Sequence, residues 1–72
     1  AEALEFVVDE KTRYIGTPLR EMKTKANVLI VCISHGSKTE IPSGDSMYQK
    51  SDSLIVVAKS GMALLQINDI FE

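Results

Sequence analysis

The sequence predicts a small α+β domain, in which a mostly antiparallel sheet is flanked by two helices in the order β-α-β-β-β-α. Two continuous apolar runs, at residues 28–33 and 54–58, predict the central strands. Each run is too short for a helix of this composition and is typical of a strand buried on both faces. After Gly61 the apolar residues change to helical spacing, which predicts a helix at the end of the chain.

The first strand is predicted at residues 4–8, where β-branched and aromatic side chains precede a polar stretch. A short helix is predicted next, because Thr17 suits the N-cap and Pro18 suits the first helical position, where its missing N–H costs nothing. Leu19 and Met22 would be the inward-facing pair of this helix. The polar residues that follow offer no apolar face along which it could continue.

The middle of the chain predicts a hairpin and a second turn. Residues 34–38 form a polar turn after the first central strand, and residues 39–41 are predicted as a short returning strand. Pro42 and Gly44 then mark a tight turn.

The final helix is predicted from apolar residues three and four apart, namely Ala63, Leu64, Ile67, Ile70 and Phe71. Leu65 lies on the otherwise polar face of this predicted helix, where it could meet a partner chain.

Length and charge limit the classes of protein to which the chain can belong. Its 72 residues allow a single domain over 1–72 with a thin core, since a chain of this size buries only about 60% of its unfolded surface. A net charge of −2, with acids and bases interspersed, argues against a nucleic-acid or anionic membrane partner. The longest apolar run has six residues, against the roughly 20 of a membrane helix. Because the chain starts at Ala1 without methionine, we expect it to be excised from a longer protein.

Metal binding and catalysis have little support in the sequence. Cys32 and His35 stand at C-x-x-H spacing, but a structural zinc site needs four N or S ligands and this chain has one Cys and one His. Cys32 is better explained as a small buried hydrophobe and His35 as the end of a strand beside a turn. A catalytic triad would have to use His35, and no spacing selects its partners. We therefore expect no enzymatic activity and no metal.

Phosphate-binding motifs are also incomplete. Residues 36–39 lack the glycine directly before Lys38 that a phosphate loop requires, and no G-x-G-x-x-G is present. Arg20, Lys23 and Lys25 form the one local excess of positive charge. Two interpretations of that cluster stay open: a solvated face, or contact with a small anionic ligand.

Five segments in order nevertheless resemble the TrkA C-terminal domain, also called the RCK C-terminal domain, over about residues 5–71. They are residues 8–10, 14–22, 27–33, 41–45 and 50–57. The combination of the glycine-containing helix start, the buried strand, the Pro-x-Gly-Asp turn and the Asp-x-Leu-Ile-Val strand carries the resemblance.

The resemblance implies a regulatory domain. Such domains lie in the cytoplasm at the inner face of the membrane, follow a nucleotide-binding Rossmann domain, and gate potassium transporters or channels. Others are appendages of cation or carboxylate transporters. They usually form homodimers, and in some members the dimer cleft binds cyclic di-AMP. A plain dimerisation module without a small ligand is the alternative.

The resemblance also implies a ligand site. Thr24 and Lys25 match by position the apolar-then-basic pair that contacts cyclic di-AMP, and His35 stands where the family usually has arginine. Lysine lacks the bidentate fork of arginine, neutral histidine lacks the charge, and Thr24 loses the apolar contact, so we expect weak nucleotide binding or none. A second departure is Ser51-Asp52, where the family usually has Gly-Asp, and serine also suits a turn.

Overall fold

Four antiparallel strands form one sheet in the computed structural model, which describes residues 1–72. The strands lie in the order β1-β4-β2-β3. Their bounds are Glu2–Val7 for β1, Val28–His35 for β2, Lys38–Glu40 for β3 and Ser53–Ala58 for β4. The predicted antiparallel sheet and its central strands β2 and β4 are confirmed. No helical segment is long and apolar enough to span a membrane.

The predicted helix after Thr17 is wrong. The chain makes a single 3₁₀ turn at Leu19–Glu21, here called the first turn. Pro18 has ψ 141° and Met22 has ψ 144°, so extended backbone stands on both sides of the turn. Three residues gain too few hydrogen bonds to offset the cost of starting an α-helix, and the chain instead continues extended towards Thr24, which bridges to Phe71.

The predicted C-terminal helix is also wrong. The chain forms a 3₁₀ turn at Ile67–Ile70, here called the second turn, and Gln66 before it is extended at φ −143° and ψ 163°. Leu64, Ile67 and Ile70 are buried as the spacing suggests. The three-residue separation of Ile67 and Ile70, which lie within the turn, fits the 3.0 residues per turn of a 3₁₀ helix as well as one face of an α-helix.

The two faces of the sheet differ in what covers them. The core face carries Ile30 and Ile33 from β2 and Leu54 and Val56 from β4, all buried, and both turns send apolar side chains towards it. The open face carries Val7, Leu29, Ile55 and Val57. Val7 is 62% exposed and Leu29 is 64% exposed. The expectation that both central strands are buried on both faces is therefore wrong for this chain, because no segment packs over the open face.

A β-bulge in β2 decides which side chains reach the core. The register against β4 shifts between Ile30 and Cys32, so Val31 is the extra residue. The bulge places Ile30 and Ile33, three residues apart, on the same buried face. Cys32 falls opposite Ile55 on the open face and is only half-buried, which corrects the expectation of a buried thiol.

Candidate functional site

An apolar groove of about 130 Å³ lies beside the first half of β2. Five of its six lining residues are hydrophobic, and the set is Leu19, Met22, Thr24, Val28, Leu29 and Ile30. Strand β3 pairs only with the last three residues of β2, so this half of β2 has no strand beside it on the groove side. The groove is smaller than the roughly 300 Å³ at which pockets for whole small molecules begin. One chain can therefore enclose only part of a ligand here.

The C-terminal residues hold Thr24 and Lys25 in place. Lys25 N–H donates to the Ile70 carbonyl at 2.9 Å, and Glu72 N–H donates to the Lys23 carbonyl at 2.9 Å. Thr24 pairs with Phe71 between these two bonds. The segment is thus a short extended stretch fixed from one side, with Thr24 lining the groove.

Lys25 lies next to Thr24 in sequence but outside the groove lining. Its positive charge acts on Asp69. The N–H groups of Gln66 and Leu65 donate to that carboxylate and lower its pKa, and the Lys25 charge lowers it further. Lys25 therefore follows the groove residue Thr24 in sequence, and its positive charge interacts with Asp69 in the second turn.

The positive cluster predicted around the first turn is smaller than the sequence suggested. Arg20 forms an ion pair with Asp45, which neutralises its charge on the surface. Lys23 and Lys25 make no direct ion pair, although the charge of Lys25 acts on Asp69 over a longer distance.

His35 lies at the other end of β2. The eight-residue strand separates its ends by about 23 Å at the usual rise of a strand. One protomer therefore does not bring His35 together with Thr24 and Lys25. This geometry divides the predicted site into a groove end and a histidine end.

Two carboxylates enclose the His35 ring. Nδ1 lies 2.7 Å from Asp52 Oδ2, and Nε2 lies 2.7 Å from Glu40 Oε1. Asp52, whose side chain is only 11% exposed, also accepts the Gln49 N–H at 2.8 Å. Ser46 Oγ donates to the second Glu40 oxygen at 3.1 Å. We refer to His35, Glu40, Ser46 and Asp52 as the histidine cluster.

The cluster shifts the titration of its members. Hydrogen bonds to Glu40 and then to Asp52 raise the pKa of His35 above its usual 6.5. The hydrogen bond from His35, followed by that from Ser46, lowers the pKa of Glu40 below its usual range. Both shifts favour the charged forms, as expected for a cation held between two anions.

The sequence did not predict this cluster. One signal was available: in an antiparallel hairpin that pairs His35 with Lys38, Glu40 falls on the same face as His35. The contribution of Asp52, 17 residues away, depends on the tertiary fold. No group of three His, Cys, Asp or Glu side chains is arranged to hold a metal ion.

A family model described as the TrkA-C domain matches residues 3–69. The chain is similar to a "Trk system potassium uptake protein TrkA homolog 1" of Methanosarcina mazei, at 32% identity over 63 residues, covering 88% of this chain and 14% of that protein. It is also similar to a "Trk system potassium uptake protein TrkA homolog" of Pyrococcus horikoshii, at 34% identity over 74 residues, covering 100% of this chain and 32% of that protein. The chain thus spans less than two thirds of either relative.

Two solved structures share the fold. One is described as "Structure of RCK domain with cda", with a TM-score of 0.70 and 23% identity, covering 83% of this chain and 84% of that one. The other is described as "RCK_C domain dimer of S.agalactiae BusR in complex with c-di-AMP", with a TM-score of 0.60 and 19% identity, covering 83% of each chain. At these identities the likeness establishes the fold and nothing finer.

Proposed function

We propose that this chain, which belongs to the TrkA-C domain family (the RCK C-terminal domain family), is the ligand-sensing regulatory domain of a potassium transport system. The family match over residues 3–69 carries this proposal, together with the potassium uptake proteins among the relatives. The domain would act in the cytoplasm and control a separate membrane subunit, through an upstream nucleotide-binding domain of the full-length protein. Its role is regulatory and not enzymatic.

The proposed ligand is cyclic di-AMP or another nucleotide, seated in the groove beside β2. Structures of similar fold are described with cyclic di-AMP, and an apolar groove suits the flat face of a base. Lys23 and Lys25 would supply charge for the phosphates. Thr24 is the polar position of the groove and would contact the ligand directly.

Unlike Thr24 and Lys25, His35 is not proposed to contact the ligand. Both of its ring nitrogens face carboxylates, and two carboxylates around one imidazolium leave a net negative charge. Such an environment repels phosphate. We therefore propose that His35, which stands at the arginine position of the family, makes no phosphate contact in this chain.

A homodimer is part of the proposal, because the groove is too small for a whole nucleotide and adjoins the open face. Leu29 belongs to both, and its exposure provides apolar surface that a second copy would bury. Pairing of two chains would join two half-sites into one. Stable dimers bury on the order of 1,600 Å² in total.

Calorimetric titration with cyclic di-AMP and adenine nucleotides tests the ligand. Saturable binding that weakens in Lys25→Ala supports the proposal. Lys50→Ala is the matched control, since Lys50 pairs with Glu10 and lies outside both the groove lining and the 23–25 segment next to it. Binding to the folded form should also raise stability, by about 2.7 kcal/mol at a ligand concentration of 100 times Kd. A flat titration at millimolar ligand contradicts the sensing role.

A ligand-free dimerisation module is the second candidate, favoured by the exposed apolar residues of the open face. Light scattering that reports a dimer, combined with a flat titration, selects this candidate. Potassium uptake in cells whose transporter lacks the domain tests the transport assignment. Unchanged potassium uptake with altered flux of another cation or a carboxylate would favour an appendage of a different transporter.

A further inference from the structure

The geometry around His35 requires a charged imidazole. A neutral ring has one N–H and one lone pair, so it can donate to only one of two carboxylates. In this structure both ring nitrogens lie 2.7 Å from a carboxylate oxygen, a distance that a lone pair facing an anion does not tolerate. With both carboxyl groups in their carboxylate form, only the imidazolium, with two N–H donors, satisfies both contacts. Loss of its proton must therefore break one of them.

The hydrogen bond between His35 and Glu40 is the one that breaks when the ring loses its proton. Asp52 is largely buried and is held by the Gln49 N–H, so its carboxylate has little freedom to move. The Glu40 side chain is 41% exposed and lies at the end of the three-residue strand β3, where water can replace His35. The other charged side chain opposite His35 is Lys38, its partner across the hairpin.

Glu40 connects the histidine to the loop that follows β3. Its second carboxylate oxygen accepts the Ser46 hydroxyl, and the Ser46 Oγ accepts the Ser43 N–H at 2.9 Å. The same loop holds the first turn. Leu19 N–H donates to the Ser46 carbonyl at 2.9 Å, and Arg20 N–H donates to the Gly44 carbonyl at 3.0 Å. Leu19 in turn lines the groove.

We propose that the histidine cluster is a proton-operated clamp that fixes the 43–46 loop, and with it the first turn, when His35 is charged and loosens them when it is neutral. The two-state element is the Glu40 carboxylate, either bridged between His35 and Ser46 or free in water. The clamp is independent of any ligand. Its effect on nucleotide affinity, through Leu19, rests on the function proposed above.

The single histidine makes the clamp directly observable by NMR, because the imidazole signals have one possible source. We expect the His35 ring to titrate above pH 6.5, consistent with its raised pKa. The amide signals of Leu19, Arg20 and Ser46 should shift with the same midpoint. The proposal would be overturned if these amide signals did not shift at that midpoint, or if the ring titrated at or below pH 6.5.

Two variants separate a mechanical link from a through-space effect of the charge. Ser46→Ala keeps His35 and Glu40 but removes the bond to the loop, so the ring should still titrate while the Leu19 and Arg20 shifts disappear. Glu40→Gln should lower the midpoint of the ring and also abolish those shifts. Glu10→Gln removes an exposed carboxylate outside the cluster and should change neither. Persistence of the Leu19 and Arg20 shifts in Ser46→Ala would contradict the clamp.

Ligand binding is then measured separately. If cyclic di-AMP binds, its affinity should change across the His35 midpoint in the wild type and stay constant in Ser46→Ala. If no nucleotide binds while the amide shifts follow the ring, the sensing function fails and the clamp stands. If a nucleotide binds and the amides do not follow the ring, the clamp fails and the sensing function stands.

Discussion

The core face and the open face of the sheet carry similar apolar side chains in very different surroundings. On the core face, Ile33, Leu54 and Val56 are fully buried under the two turns. On the open face, Leu29 is mostly exposed, and β4 contributes half-buried side chains there instead of buried ones. Since apolar surface of this kind is unfavourable in water, the core face is the source of stability, and the open face is the surface on which the proposed dimer would form.

The strongest test of this division is the introduction of a charge on each face. Val56→Asp should prevent folding, because an unpaired buried carboxylate costs several kcal/mol. The total unfolding free energy of a small domain is of similar size. Ile30→Asp, in the adjacent strand, should do the same. Circular dichroism during thermal melting measures the effect, and a cooperative transition in both variants would contradict the assignment of the core.

The matched change on the open face is Leu29→Asp. It should fold with an unfolding free energy within about 1 kcal/mol of the wild type, since the side chain is mostly in water already. Light scattering should report a dimer for the wild type and a monomer for this variant. A stable dimer in Leu29→Asp would remove the open face from the proposed interface.

Removal of one buried polar atom gives the next largest effect. The Tyr48 ring is fully buried in the core, and its hydroxyl donates to the Arg13 carbonyl at 2.5 Å. Burial raises the pKa of this phenol, so it stays neutral and keeps its proton for that bond. Tyr48→Phe should lower the unfolding free energy by about 1 to 1.5 kcal/mol and leave dimerisation unchanged. Urea denaturation checks the first value and light scattering the second.

The sequence predicted the strands well because their signal is local. Continuous apolar residues in β2 and β4 predict strands whatever lies elsewhere in the chain, and the bounds differ by a few residues at most. Whether other segments cover one face or both faces of these strands could not be predicted in the same way. A run such as residues 28–33 has the same composition whether its second face meets a helix, a partner chain or water.

Tertiary contacts explain why the two predicted helices were wrong and why the histidine cluster was not predicted. Asn68, within the second turn, uses its side chain to accept the Arg13 N–H and to donate to the Lys11 carbonyl, which fixes the turn against a distant segment. His35 meets Asp52 only after β2 and β4 pair. The family resemblance predicted a ligand site at Thr24, Lys25 and His35, and the structure separates the first two from His35 along β2. That site stays a prediction.

A substitution in the turn before β4 should stabilise the fold without changing either face of the sheet. Ser51 has φ +78°, the left-handed conformation that glycine adopts without strain, in the turn before β4. Ser51→Gly should raise the unfolding free energy by about 0.5 to 1 kcal/mol and leave the dimer affinity unchanged. Ser53→Gly is the matched control, since Ser53 is in β4, and it should destabilise instead. Equal effects of the two changes would contradict the role of backbone strain.

The smallest expected effect is the pH dependence contributed by the histidine cluster at the rim of the core face. Because folding raises the pKa of His35, its stabilisation is fully present below pH 6.5 and is lost as the pH rises through the raised value. Because folding lowers the pKa of Glu40, its contribution is present above pH 4.5 and is lost as the pH falls through the lowered value. Both contributions are therefore present between about pH 4.5 and 6.5. Over a third of the His35 side chain is exposed, so water screens the interaction and keeps the effect small.

Urea denaturation should give a higher unfolding free energy at pH 6 than at pH 8.5 for the wild type and for Leu29→Asp, because the open face takes no part. His35→Gln should remove this difference, and a difference that persists in His35→Gln would assign the pH dependence to other groups.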